Sequence, residues 1–202
     1  MENQSETSPA APTNGTADAA ARQALYQSAF ALLSRPIEDP SPAAAMRLIE
    51  KLRPRKEDYA RVFVAEVVEV AQLSYAGLYL APRPFERDPQ QTVLRLFLAS
   101  AAELRAQRPN ALGFPGGYAD ILDFLQPDSL WVHWKYTAPH RPTGMAYDGL
   151  TRIDDRWVWL PKPYRFLRQA VSAPAKPAEA APEPPAKDPE ETPAHAANIW
   201  KE

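Results

Sequence analysis

The sequence predicts an α+β fold in which helices, one of them long and central, pack on one face of a curved antiparallel sheet. The first half of the chain carries helical apolar periodicity, and the second half carries short aromatic runs separated by turn residues. Four of the five tryptophans lie within residues 130–167. Because aromatic side chains bury much apolar area and fit a pleated surface, these runs indicate strands. Helices followed by an antiparallel meander are typical of the α+β class.

Composition divides the chain into three parts. Residues 1–16 are small and polar without periodicity, which predicts a disordered leader. Residues 17–170 form the predicted α+β domain, which at roughly 150 residues is large enough to bury most of its apolar side chains. Residues 171–202 are rich in Ala, Pro and Glu. They predict a disordered acidic tail, because such a segment buries too little apolar surface to offset its ordering entropy.

Helices are expected in the first half of the domain. The first covers residues 17–33 and ends before Pro36. The second begins at Pro42, with Ser41 as its N-cap, and ends before Pro54. The third covers residues 56–80, where a narrow polar stripe that includes Asp58 leaves apolar residues on several sides. This pattern predicts a helix that is covered on several sides and lies centrally under the sheet.

The second half predicts strands and two short helices. Strands are expected at residues 92–99, 130–137, 145–153 and 156–160, and helices at 100–107 and 118–125. Asp154 and Asp155 form a tight connection between the last two strands, and Pro161 and Pro163 end regular pairing. This outline is similar to the nuclear-transport-factor-2 (NTF2) fold and to cystatin-like sheets that wrap one long helix. The likeness concerns the fold alone and implies no function.

Composition also argues against several classes of function. The net charge is −2 and the pI is about 6.0, so no overall positive potential attracts nucleic acid or an anionic membrane. The chain has no cysteine and few histidines, and it carries no cofactor motif. We therefore expect neither a metal site nor a cofactor. No apolar run is long enough to span a bilayer, and the N-terminus is unlike a secretory signal, so a cytoplasmic location is expected.

Asp148 is the first candidate for a catalytic residue. It lies among apolar neighbours on a predicted strand, where an unpaired carboxyl has a raised pKa suited to proton transfer. The alternative is a structural role. In that case Asp148 forms an ion pair with Arg152 or Arg156, or accepts a backbone hydrogen bond at a bulge favoured by Gly149.

His133 is the second candidate, because it lies inside a predicted strand. A histidine that acts as a base or ligand needs a carboxylate to orient its second ring nitrogen. Lys135 shares the face of His133 and argues against a metal ion there. A partly exposed histidine with a structural role is the simpler interpretation.

Trp134, Tyr147 and Trp159 are the candidate ligand-binding residues, expected to line a pocket between the long helix and the concave side of the sheet. The tail ends near two large apolar residues, Ile199 and Trp200, which we interpret as a contact for a protein partner.

Two functions therefore remain open. The one we favour is a non-enzymatic interaction or accessory domain with a flexible acidic tail and an unknown protein partner. The alternative is a small-molecule-binding protein or enzyme that uses the aromatic pocket, with Asp148 or His133 as its polar group. The chain carries no recognisable catalytic constellation, which favours the first.

Overall fold

The computed structural model describes residues 14–80, 82 and 85–172, and it confirms the α+β class. Helices pack with a curved four-stranded antiparallel sheet whose strands follow chain order. The helices are α1 (Asn14–Glu38), α2 (Pro42–Lys51), α3 (Tyr59–Val62), α4 (Ala65–Leu80), α5 (Ala101–Arg105) and α6 (Pro163–Ser172). The strands are β1 (Val93–Ser100), β2 (Leu130–Thr137), β3 (Gly144–Ile153) and β4 (Arg156–Trp159). Short 3-10 helices cover Lys56–Asp58, Pro109–Ala111 and Gly116–Phe124.

Neighbours from the helical half contact both faces of β2. The hydroxyl of Tyr136 donates to the carbonyl oxygen of Leu33 in α1 (2.8 Å). The ring of Trp131 contacts that of Phe63, which follows α3, with 6.0 Å between the centroids. Because Tyr136 and Trp131 are an odd number of positions apart on one strand, they point to opposite faces. Helix α1 therefore contacts the sheet through Tyr136, whose side chain points away from the face that carries Trp131.

Contacts from outside the sheet reach both of its edges. At the β1 edge, the side chains of Arg22 and Asn110 donate to the carbonyl oxygen of Leu98 (2.5 and 3.0 Å). At the β4 edge, the main-chain N–H of Trp159 donates to the carbonyl oxygen of Leu52, just after α2 (2.8 Å). Such contacts satisfy edge groups that would otherwise be open to strand pairing with another chain.

The long helix predicted at residues 56–80 is broken between α3 and α4. There Phe63 is extended and pairs with Leu125, while the N–H of Val64 donates to the carbonyl oxygen of Phe124 (3.0 Å). The prediction of one continuous helix was therefore wrong. A Val-Phe-Val run has low helix propensity, and here tertiary hydrogen bonds replace the helical ones.

Other boundaries also differ from the prediction. Helix α1 begins at Asn14, inside the predicted leader, and continues through Pro36 to Glu38. Helix α6 was not predicted, and it begins at Pro163, a residue whose fixed φ suits the first position of a helix. Residues 1–13 and 173–202, which hold most of the predicted leader and tail, lie outside the described residues.

Candidate functional site

Strands β2 and β3 place His133 and Asp148 opposite each other. The register shifts at this point, because Gly149 is an extra residue in β3. Gly149 has a φ of 86°, a left-handed conformation that glycine adopts without steric cost. A Cβ atom there would lie 2.0 Å from the carbonyl oxygen of Leu160. The backbone therefore requires glycine at the bulge beside Asp148.

Asp148 is 4 % exposed and binds the segment that begins α6. Its Oδ1 accepts a hydrogen bond from the main-chain N–H of Lys162 (2.8 Å), and its Oδ2 accepts one from the hydroxyl of Tyr164 (3.3 Å). Burial raises the pKa of the Asp148 carboxyl, and these two hydrogen bonds oppose the increase. The structural alternative expected a backbone hydrogen bond of this kind, and the catalytic role of Asp148 stays a prediction.

The two arginines considered as partners of Asp148 make other contacts. Arg156 forms an ion pair with Asp58, which is buried. Arg152 donates from Nε to the carbonyl oxygen of Asp154 (3.1 Å). Local periodicity places Asp58 in a polar stripe and does not reveal this pair, because the two residues are 98 positions apart.

His133 is 3 % exposed and lies near the rings of Phe97 and Phe114, at centroid distances of 5.7 and 6.0 Å. The histidine is therefore buried, where partial exposure was expected. Burial, assisted by the charge of Lys135, lowers its pKa to about 4, so the ring is neutral at pH 7. Its Nδ1 has no hydrogen-bond partner among the described residues. Asp148 lies opposite His133 in the register, but its carboxylate oxygens accept hydrogen bonds from Lys162 and Tyr164 and not from the His133 ring.

Trp134, Tyr147 and Trp159 come together, as the aromatic pocket requires, but Phe85 lies between them. The ring of Phe85 is 5.7, 5.3 and 4.6 Å from these three rings, centroid to centroid, and its side chain is buried. Ligand binding here stays a prediction, and it would require Phe85 to move. Phe85 could not be found from local patterns, because it lies in a Pro-rich connection with no periodicity.

Several surface clefts of the described part lie away from the candidate residues. These clefts have volumes of about 220 to 420 Å³, and their linings do not include Asp148, His133, Trp134, Tyr147 or Trp159. Within residues 14–80, 82 and 85–172, no group of three or more histidine, aspartate and glutamate side chains is arranged to hold a metal ion. The same part of the chain contains no helix long and apolar enough to cross a membrane.

Ile199 and Trp200, the predicted partner contact, lie outside the described residues. Comparison of the chain with protein-family models, with curated proteins and with solved structures finds no match, so the similarity to NTF2-like and cystatin-like folds stays an analogy of outline.

Proposed function

We propose that this is a non-enzymatic protein-interaction domain that binds its partner with the exposed face of α4. The observation that carries the proposal is an apolar stripe on this helix. Leu73 is 70 % exposed and Leu80 is 83 % exposed, with Ala76 and Gly77, also exposed, between them. Their spacing of three, four and seven residues places all four on one helix face. A contiguous apolar surface of this kind is typical of a site that binds another protein.

A cleft beside the stripe gives the surface a concave part. It has a volume of about 420 Å³, and its lining includes Leu73, Tyr59 and Tyr79. Arg53 also lines the cleft, and its guanidinium lies over the ring of Tyr79, 5.6 Å from the ring centroid. A groove whose lining combines apolar and aromatic side chains with charged ones, next to an exposed helix, accepts an amphipathic helix.

Gly77 supports a close approach by the partner. A Cβ atom added to this residue would meet nothing within 4 Å, so no packing among the described residues requires glycine. Glycine in a helix interior costs about 0.5–1 kcal/mol relative to alanine. Its small size on an exposed stripe allows a second helix backbone to pack closely.

The first turns of α4 indicate the charge of the partner. Glu66 and Glu69 are exposed on the same face as the stripe, N-terminal to Leu73. The partner helix is therefore expected to carry basic residues at the end that lies beside these carboxylates. With a net charge of −2, the chain favours a protein partner over nucleic acid or an anionic membrane.

The packing of the aromatic cluster gives less support to the alternative function, a small-molecule-binding protein or enzyme. Phe85 occupies the space that a ligand would need, and the carboxylate of Asp148 already accepts two hydrogen bonds. Ile199 and Trp200 stay in the proposal as a second contact, predicted from the sequence, and so does the cytoplasmic location.

Site-specific photocrosslinking in the native host tests the proposal. A photoreactive amino acid replaces Leu73, and the matched control replaces Leu112, which is 79 % exposed but belongs to another element. We expect a discrete protein adduct from position 73 that is absent from position 112. With the purified adduct partner, Leu73→Glu should weaken binding by about tenfold or more, while Leu112→Glu should leave it nearly unchanged. The same adducts from both positions would contradict the proposal.

A further inference from the structure

Arg95 of β1 and Lys135 of β2 form a cationic pair on the sheet. The two residues are direct partners in the antiparallel register, so their side chains lie side by side on the same face. Like charges in this position destabilise a sheet. Among the described residues, no carboxylate lies within ion-pair distance of either side chain. The pair therefore costs stability without a compensating contact in this part of the chain.

This end of the sheet face is partly open to a partner, with Lys135 half-buried and Thr137, the register partner of Val93, buried. Val93 and Arg95 are exposed on β1, and Ala146, the register partner of Lys135 on β3, is exposed as well. The opposite end of the same face is covered, because Trp131 is fully buried against Phe63. The open end combines two cations with small apolar side chains.

One neighbouring feature agrees with a positive charge at Lys135. The charge of Lys135, after the larger effect of burial, contributes to the lowered pKa of His133, which is two residues away on the same strand and face.

We propose that Val93, Arg95, Lys135 and Ala146, which we call the cationic sheet surface, bind an acidic segment of a protein partner. A carboxylate of that segment bridges Arg95 and Lys135, because a guanidinium and an ammonium together satisfy both of its oxygens. The apolar side chains on either side favour a peptide segment over a free anion. This surface uses none of the residues of the α4 face, so the inference goes beyond the proposed function and stands independently of it.

Two synthetic peptides test the surface directly. One is a capped pentapeptide of alternating valine and glutamate, and the other has lysine in place of each glutamate. Each is titrated into the isotopically labelled full-length chain, and the backbone amide signals are followed by NMR. We expect the glutamate peptide to shift the amides of residues 93–97 and 133–137 and to bind about tenfold or more tightly than the lysine peptide.

A charge-reversal variant separates binding from folding. Arg95→Glu places opposite charges across the two strands, so the free energy of unfolding should stay equal or increase while the affinity for the glutamate peptide falls about tenfold or more. Arg108→Glu, at an exposed arginine outside the surface, is the matched control and should bind the peptide as the wild type does.

Three results would overturn the inference: no shift at the named amides, equal affinities for the two peptides, or displacement of the glutamate peptide by an equal concentration of inorganic phosphate. The last result would identify a small-anion site. None of them bears on the crosslink from Leu73, so failure of this surface is distinguishable from failure of the α4 face.

Discussion

The carboxylate of Asp148 holds the segment that begins α6 against the sheet. The carboxylate accepts hydrogen bonds from the N–H of Lys162 and the hydroxyl of Tyr164. The main-chain carbonyl oxygen of Asp148 accepts another from Nε1 of Trp159 (3.0 Å). Because burial raises the pKa of this carboxyl above its ordinary value of 3.8, the folded protein binds its proton more tightly than the unfolded chain does. The contribution of this bound proton to the free energy of unfolding is fully present below pH 3.8, and it is lost as the pH rises through the pKa of the folded state.

Replacing Asp148 tests this role. At pH 7 we expect Asp148→Asn to change the free energy of unfolding by less than about 1 kcal/mol, because the amide oxygen still accepts from Lys162 and a buried charge is removed. Asp148→Ala leaves the donors of Lys162 and Tyr164 unpaired and should cost about 1–3 kcal/mol for each buried group. Urea unfolding of the wild type and both variants measures the difference. If the two substitutions were equally destabilising, the charge itself, rather than the acceptor, would be required.

At the scale of elements, two glycines illustrate opposite constraints. Gly77 lies in the interior of α4 with open space around it, whereas Gly149 lies at the β3 bulge with a positive φ and Leu160 behind it. Gly77 lowers the stability of its helix, and no contact among the described residues requires a glycine there. Gly149, by contrast, is the residue that the backbone geometry demands.

Alanine substitutions should separate these two glycines. Gly77→Ala is expected to increase the free energy of unfolding by about 0.5–1 kcal/mol, because it lowers the entropy of the unfolded chain and fits the helix. Gly149→Ala should decrease it by about 1–3 kcal/mol or more, because the new Cβ is strained by its φ and meets the Leu160 carbonyl oxygen. Thermal or urea unfolding provides the measurement. Stabilisation by Gly149→Ala would mean that the bulge is absent in solution.

At the scale of the whole molecule, the stability of the domain depends on keeping His133 neutral. The pKa of this histidine is about 4 in the folded protein and 6.5 in the unfolded chain, so the unfolded state binds more protons between these values. Stability is therefore highest above pH 6.5 and is lost as the pH falls towards 4.

Substitution of His133 isolates this contribution. Between pH 7 and pH 5 the wild type should lose about 2 kcal/mol of unfolding free energy through His133 alone. His133→Phe should remove that part of the pH dependence, because phenylalanine packs between Phe97 and Phe114 and has no proton to bind. Urea unfolding of both proteins at the two pH values gives the comparison. An identical pH dependence would show that the histidine is charged or exposed in the folded state.

Much of the fold could be predicted from local patterns. The three C-terminal strands agree with the predicted ranges to within one residue, because alternating aromatic and β-branched residues between turn residues have few other stable arrangements. The break after α3 could not be predicted, because it depends on Phe63 meeting Leu125, sixty-two positions later. Helix α6 was missed because Pro163 was interpreted as the end of a strand and not as the start of a helix.

The candidate site divides in the same way. The sequence by itself determined the α+β class, the cluster of Trp134, Tyr147 and Trp159, and a bulge at Gly149 as one interpretation of the chain near Asp148. Only the tertiary structure decided that Phe85 fills the cluster and that Asp148 binds the start of α6. The physical reason is the distance along the chain over which each interaction acts. Side-chain periodicity and turn chemistry act over a few residues, whereas the filling of a cavity and the pairing of a buried charge depend on residues far apart in the chain.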